Sequence, residues 1–139
     1  MFEKPFEDRL AAWSDLRKEL EDVEKPLQYL SDFYAKAPRV SIQTDPWSPD
    51  IWPSPWELVY ENQYDDFCCV LGMCYSLQLT ERFKESVFEI HINTDSNRGY
   101  VYMLYVDNFV LGYNDEILHS NSVPKHLESQ HVYPMPPLQ

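Results

Sequence analysis

Residues 54–114, SPWELVYENQYDDFCCVLGMCYSLQLTERFKESVFEIHINTDSNRGYVYMLYVDNFVLGYN, decide the fold of this chain. They open on Ser54-Pro55-Trp56-Glu57, a capping box in which the Ser54 hydroxyl accepts from the Glu57 amide, the Glu57 carboxylate reaches back, and Pro55 takes the first helical position. That helix bends near Asn62-Gln63. Asp65 and Asp66 then begin a second helical piece, because carboxylates favour the positive end of a helix dipole. From Phe67 to Leu79 the chain is apolar on most sides, through Val70, Leu71, Met73 and Leu77, which marks a buried central helix. The period then becomes that of a half-buried strand: Phe88, Ile90 and Ile92 alternate with Glu89, His91 and Asn93. Thr94 to Gly99 is a loop, Tyr100 to Val106 a second strand, Asp107-Asn108 a tight turn and Phe109 to Tyr113 a third strand, after which Asn114-Asp115-Glu116 ends the sheet. The expected core is α+β, with the central helix packed on a three-stranded antiparallel meander.

Upstream, Phe6, Leu10, Trp13, Leu16, Leu20 and Val23 recur at threes and fours, and Leu27, Leu30, Phe33, Tyr34 and Ala37 form a second stripe after Lys25-Pro26. Residues 1–37 therefore read as a helical hairpin. Residues 38–53 carry Pro38, Pro46, Pro49 and Pro53 with Trp47 and Trp52 between them, which forbids helix and central strand. This strap is expected to lie extended against the body, with Val40 and Ile42 as a short edge strand and Asp45-Pro46 starting a turn. Residues 54–116 form the core, and 117–139 a C-terminal extension with a short helix over residues 124–130 and a polyproline-like tail.

The chain has 139 residues, enough for one core that buries roughly two-thirds of the unfolded surface. Its 11 basic and 23 acidic side chains give a net charge of −12, which repels phosphate backbones and anionic lipid surfaces and disfavours direct nucleic-acid or membrane binding. The start MFEKPFEDRL has no secretory pattern and no apolar run is long enough to span a bilayer, so a cytosolic protein, or one assembled from the cytosol, is expected. Cys68, Cys69 and Cys74 lie within one apolar helical segment and read as reduced, buried small side chains. His91, His119, His126 and His131 lack metal-ligand spacing and read as surface or capping residues. Asp65 and Asp66 diverge on a helix and serve its start, and with only Gly72, Gly99 and Gly112 there is no phosphate-cradling loop. No catalytic residue, cofactor or metal is expected, and Tyr100, Tyr102, Tyr105, Phe109 and Tyr113 suit packing or a protein interface.

Tyr64-Asp65-Asp66-Phe67 ahead of the apolar helix resembles the Cys-any-Asp-Phe motif of the transglutaminase-like cysteine enzymes. Gly99-Tyr100-Val101-Tyr102 resembles their Gly-His-Ala-Trp strand, and Phe109-Val110-Leu111 with Tyr113-Asn114 resembles the final strand leading to Asp. The resemblance implies a helix-on-meander scaffold whose nucleophile, base and orienting acceptor positions hold Tyr64, Tyr100 and Tyr113 or Asn114. Cys68 falls about one turn beyond the nucleophile position. The helical start, the strap from Asp45-Pro46-Trp47 to Trp52-Pro53-Ser54-Pro55-Trp56 and the Pro-rich end also make the chain similar to small acidic proteins of T4-like tailed phages of marine bacteria and cyanobacteria.

The expected task is structural and not enzymatic: docking onto other protein subunits, its own copies or those of a phage head, neck, tail or baseplate, through Trp13, Trp47, Trp52, Trp56, Tyr133, Pro136 and Pro137. Two other readings remain open from the sequence. One is a transglutaminase-like cysteine enzyme, and the other is an acidic adaptor or inhibitor that mimics nucleic acid.

Overall fold

A computed structural model describes residues 1–42 and 44–138. Helices α1 (Phe6–Asp22), α2 (Pro26–Tyr34), α3 (Pro55–Glu61) and α4 (Asp66–Gln78) precede strands β1 (Phe88–Asp95), β2 (Gly99–Val106), β3 (Phe109–Tyr113), β4 (Glu116–His119) and β5 (Glu128–Met135). The chain is α+β as the sequence implies, with an antiparallel sheet in the order β4-β3-β2-β1-β5. The capping box forms as read: Ser54 Oγ accepts from Glu57 N at 3.2 Å and Glu57 Oε1 accepts from Ser54 N at 3.1 Å. Asn62 ends α3 in the left-handed conformation, and Asp65 caps α4 by accepting from Cys68 N at 2.7 Å.

The sheet is two strands wider than the expected meander. Asn114 and Asp115 do not end it, because both adopt positive φ (54° and 56°) and form a turn that sends the chain back as β4. Asn and Asp tolerate this conformation, and such paired left-handed residues match the twist of a tight hairpin. At the other edge, residues 128–135 are β5, paired with β1, where the end of a short helix over residues 124–130 and a polyproline tail were expected. His131 and Tyr133 oppose Ile92 and Ile90 and so share their face, and Pro134 is tolerated because β5 is an edge strand. The expected strand at Val40 and Ile42 reduces to one bridge, Arg39 to Tyr64, with Ile42 left exposed.

α4 packs on β2 and β3, and α1, α2 and α3 surround α4, so one face of the sheet is covered by helices. This core joins Trp13, Leu16, Leu20, Leu30, Leu71 and Leu77 to Phe88, Ile90 and Leu104. The opposite face holds a smaller cluster of Val101, Met103 and Val110, covered by Val123 and Leu127 of the β4–β5 connection. α2 approaches α4 closely at Gly72, where an added Cβ would stand 2.7 Å from Tyr34 Cε1.

Candidate functional site

α4 begins beside the first residues of β2 and the last of β3, and a cleft of about 330 Å³ opens between the helical layer and the sheet there. Cys69 and Asp66 of α4 form one wall, Tyr100 and Tyr102 of β2 another, and Asn114 and Asp115 of the β3–β4 turn a third. Arg39 closes the remaining side. Its Nη1 donates to Cys69 Sγ at 2.7 Å and lies 3.4 Å from Asp66 Oδ1. Arg98 Nη1 donates to Asn114 Oδ1 at 3.0 Å, with its guanidinium over the Tyr113 ring.

Burial pushes the Cys69 thiol up to about 12, the Arg39 cation acting against that shift and the Asp66, Asp65 and Asp115 carboxylates with it. Cys68 is likewise pushed up to about 12 by burial, with Thr44 Oγ1 3.1 Å from its sulfur. Burial also raises Tyr102, and nearby carboxylates of Asp65, Asp66 and Asp45 add to it. The cleft floor thus carries a neutral thiol in a field where carboxylates outnumber the single guanidinium beside it. All three cysteines are buried and free, in keeping with their reading as reduced core residues.

The strap is pinned across this end of the molecule. Trp52 packs between Phe67 and Tyr133, with ring centroids 5.0 Å from each, and its Nε1 donates to Asp45 O at 3.1 Å. Tyr75 Oη donates to Pro53 O at 2.8 Å, and Thr44 N donates to Asp65 Oδ2 at 2.9 Å. Trp47 stands edge-on to Tyr100 and to His131, 6.3 Å from each. The expected turn at Asp45 is present, its carboxylate accepting from Trp47 N and Ser48 Oγ.

Of the side chains expected to dock partners, the structure gathers Trp47, Trp52 and Tyr133 on this side, with Trp47 45% exposed and the other two half-buried. Pro136 and Pro137 are exposed beyond β5, where Pro136 O accepts from Gln78 Nε2. Trp56 lies on α3, 55% exposed and edge-on to Trp13. Trp13 itself is core: it is 1% exposed and its Nε1 donates to Ser76 Oγ at 2.9 Å. Sequence reasoning missed Arg39 and Asp115, which are remote in the chain from α4 and reach the cleft only through the bridge at Tyr64 and the unforeseen β3–β4 turn.

The positions that match the transglutaminase-like catalytic motif are occupied as follows. Tyr64 is fully buried, its hydroxyl donating to Leu58 O at 3.4 Å. Tyr100 stands half-exposed on the cleft wall against Trp47, and Asn114 accepts from Arg98. Three histidines lie elsewhere: His91 stacks on Tyr105 at 3.6 Å and pairs with Glu89, His126 pairs with Asp95, and His119 Nδ1 accepts from Asn121 N, while His131 stands beside Trp47 and Tyr133 on the strap side. No group of three His, Cys, Asp or Glu side chains among the described residues is arranged to hold a metal ion.

No protein-family model and no curated protein matches the sequence. Among solved structures, calcium-bound LapG of Legionella pneumophila superposes with a TM-score of 0.68 at 17% identity, covering 94% of this chain and 77% of that one. LapG has a transglutaminase-like cysteine protease fold. This likeness overturns the expectation that the chain is not an enzyme, since the fold it shares is that of a cysteine protease. At this identity what the two share is the fold, and no catalytic residue is carried over with it. The chain therefore shares its overall fold with LapG, here built on a five-stranded sheet and crossed by a tryptophan-rich strap.

Proposed function

We propose that this protein recognises an extended segment of another protein in the cleft at the start of α4. The carrying observation is the cleft itself: about 330 Å³, walled by both layers, and lined by tyrosines, arginines and carboxylates that meet peptide backbone and side chains alike. Tyr100 and Trp47 extend it outward as an aromatic rim, the kind of surface that anchors protein interfaces. On the resemblance of the sequence to small acidic phage proteins alone, the partner proposed for this docking is a subunit of a phage particle. Replacing Tyr100 by the photocrosslinking residue p-benzoylphenylalanine tests the reading in cells that make the protein. One crosslinked product of defined mass, lost when Asp66→Lys and Asp115→Lys reverse the charge of the walls, is the expected result. Indiscriminate crosslinking that ignores both substitutions overturns it.

A second reading rests on Cys69, a thiol in the cleft with a guanidinium against it. In that reading its sulfur attacks an amide carbonyl of the bound segment, forming a thioester as the C–N bond breaks and the thiol proton passes to the departing amine, and water then hydrolyses the thioester to a carboxylate and the free thiol. Alkylation by iodoacetamide at pH 7 decides it. Labelling of the folded protein at Cys69 faster than a free thiol supports cysteine chemistry, whereas labelling only after unfolding removes it.

A further inference from the structure

The end of the sheet remote from the cleft carries a second concavity, a groove of about 640 Å³ between the start of α2, the α4–β1 connection and strands β3 and β4. Its walls are apolar where Leu27, Phe83, Phe109 and Ile117 converge, and its volume falls within the roughly 300–1,000 Å³ typical of small-molecule sites. Phe109 is 47% exposed, a large apolar ring left against water. Two cations share the groove, in a chain where acidic side chains outnumber basic ones 23 to 11.

Lys25 forms no ion pair among the described residues. Arg82 is held in place by its Nη1, which donates to Leu20 O at 3.2 Å and Val23 O at 2.6 Å at the end of α1. A guanidinium has further N–H donors on Nε and Nη2, and these suit a carboxylate. The acidic side chain in the wall, Asp107, already accepts from Val87 N at 2.9 Å. The groove therefore combines an apolar trough with, among the described residues, an unpaired ammonium, Lys25, and a guanidinium that donates to backbone through Nη1 alone.

We propose that this groove binds a small amphiphilic carboxylate, its tail lying against Leu27, Phe83, Phe109 and Ile117 and its headgroup between Lys25 and Arg82. The site is separate from the cleft at α4 and does not depend on what that cleft holds. The test uses the intact ¹⁵N-labelled protein at pH 7, titrated in turn with octanoate, octan-1-ol and octyltrimethylammonium, following the amides of residues 82–86, 106–109 and 117. Octanoate is expected to give saturable shifts confined to the groove, and octanol to bind about fivefold more weakly, the size of one exposed charge interaction. Lys25→Glu, at an exposed position, should weaken octanoate by about fivefold or more and leave octanol unchanged. Ile117→Trp, which fills the trough, should remove both. The proposal is overturned if none of the three probes shifts the groove, if the headgroup makes no difference, or if these amides shift with protein concentration alone, which would assign the groove to a second copy of the chain.

Discussion

Replacing Gly72 by alanine puts two effects of known sign against each other. In an exposed helix interior, alanine is favoured over glycine by about 1 kcal/mol. At this position the new Cβ would lie 2.7 Å from Tyr34 Cε1, 3.0 Å from Cζ and 3.1 Å from the hydroxyl, a clash with a ring and not with a flexible chain end. The ring has little room to yield. It is 3% exposed, its hydroxyl lies 3.2 Å from Ser76 Oγ, and Phe2, Phe33 and Tyr64 pack around it. Inserting a methyl into such packing costs about 1–3 kcal/mol, which matches or exceeds the helix gain. The expected net loss is up to about 2 kcal/mol, a fall in Tm of up to roughly 8 °C for a chain of this size. Urea denaturation of the wild type and Gly72→Ala measures it, and the same substitution in a Tyr34→Leu background should lose at least half of its penalty. A stabilised Gly72→Ala protein, or an undiminished penalty without the Tyr34 ring, refutes the claim that this glycine exists to let α2 approach α4.

Ser76→Ala removes the acceptor of the buried Trp13 indole and a partner of the Tyr34 hydroxyl, so a loss of about 2–4 kcal/mol is expected in chemical denaturation. Alkaline stability should fall for a related reason. Cys68 and Cys69 are pushed up to about 12 in the folded state from an ordinary value of 9, so their contribution is intact below pH 9 and lost as pH rises from 9 through 12. The midpoint for urea unfolding should therefore drop between pH 8 and pH 10.5, and less so in a Cys68→Ala, Cys69→Ala variant. Tyr133→Ala takes away one of the two rings that hold Trp52, and limited proteolysis should then cut within residues 44–53 at least several times faster while far-UV circular dichroism stays unchanged. Ser54→Ala should cost about 1 kcal/mol by removing the α3 cap.

The elements whose signals are local were readable from the sequence. Ser54 and Glu57 announce α3 because the cap is made within four consecutive residues, and Phe88, Ile90 and Ile92 announce β1 because their alternation is the pleat itself. The two added strands were not readable, for different reasons. Asn114-Asp115 signals a turn, but whether a turn ends a sheet or doubles back depends on what Ile117 and Leu118 find to pack on. The segment from Glu128 to Met135 carries two charged or imidazole groups and a proline, and it is extended because β1 offers it a partner, not because its own composition demands it. The same limit governs the site. Tyr100 and Tyr102 were legible as one face of a strand, whereas Arg39 sits in a proline-rich segment and meets Cys69 only after the chain has folded. Trp13 shows the converse, since its place in the helical stripe pointed to the core more reliably than its residue type pointed to an interface.

The position of β5 has a consequence for how the molecule is made. During synthesis the helices and the β1–β3 meander emerge before residues 128–135, and β1 then presents one side of its backbone without a neighbour. An unpaired strand with Phe88, Ile90 and Ile92 on one face is a template for pairing with another nascent chain. The β4–β5 connection, with Val123 and Leu127 already bound to the back of the sheet, shortens the search by which the last strand finds its place. Expression yield and inclusion-body formation should therefore respond more sharply to changes in residues 120–135 than to changes of equal size in the helical start, because those residues decide how long an adhesive edge stays open.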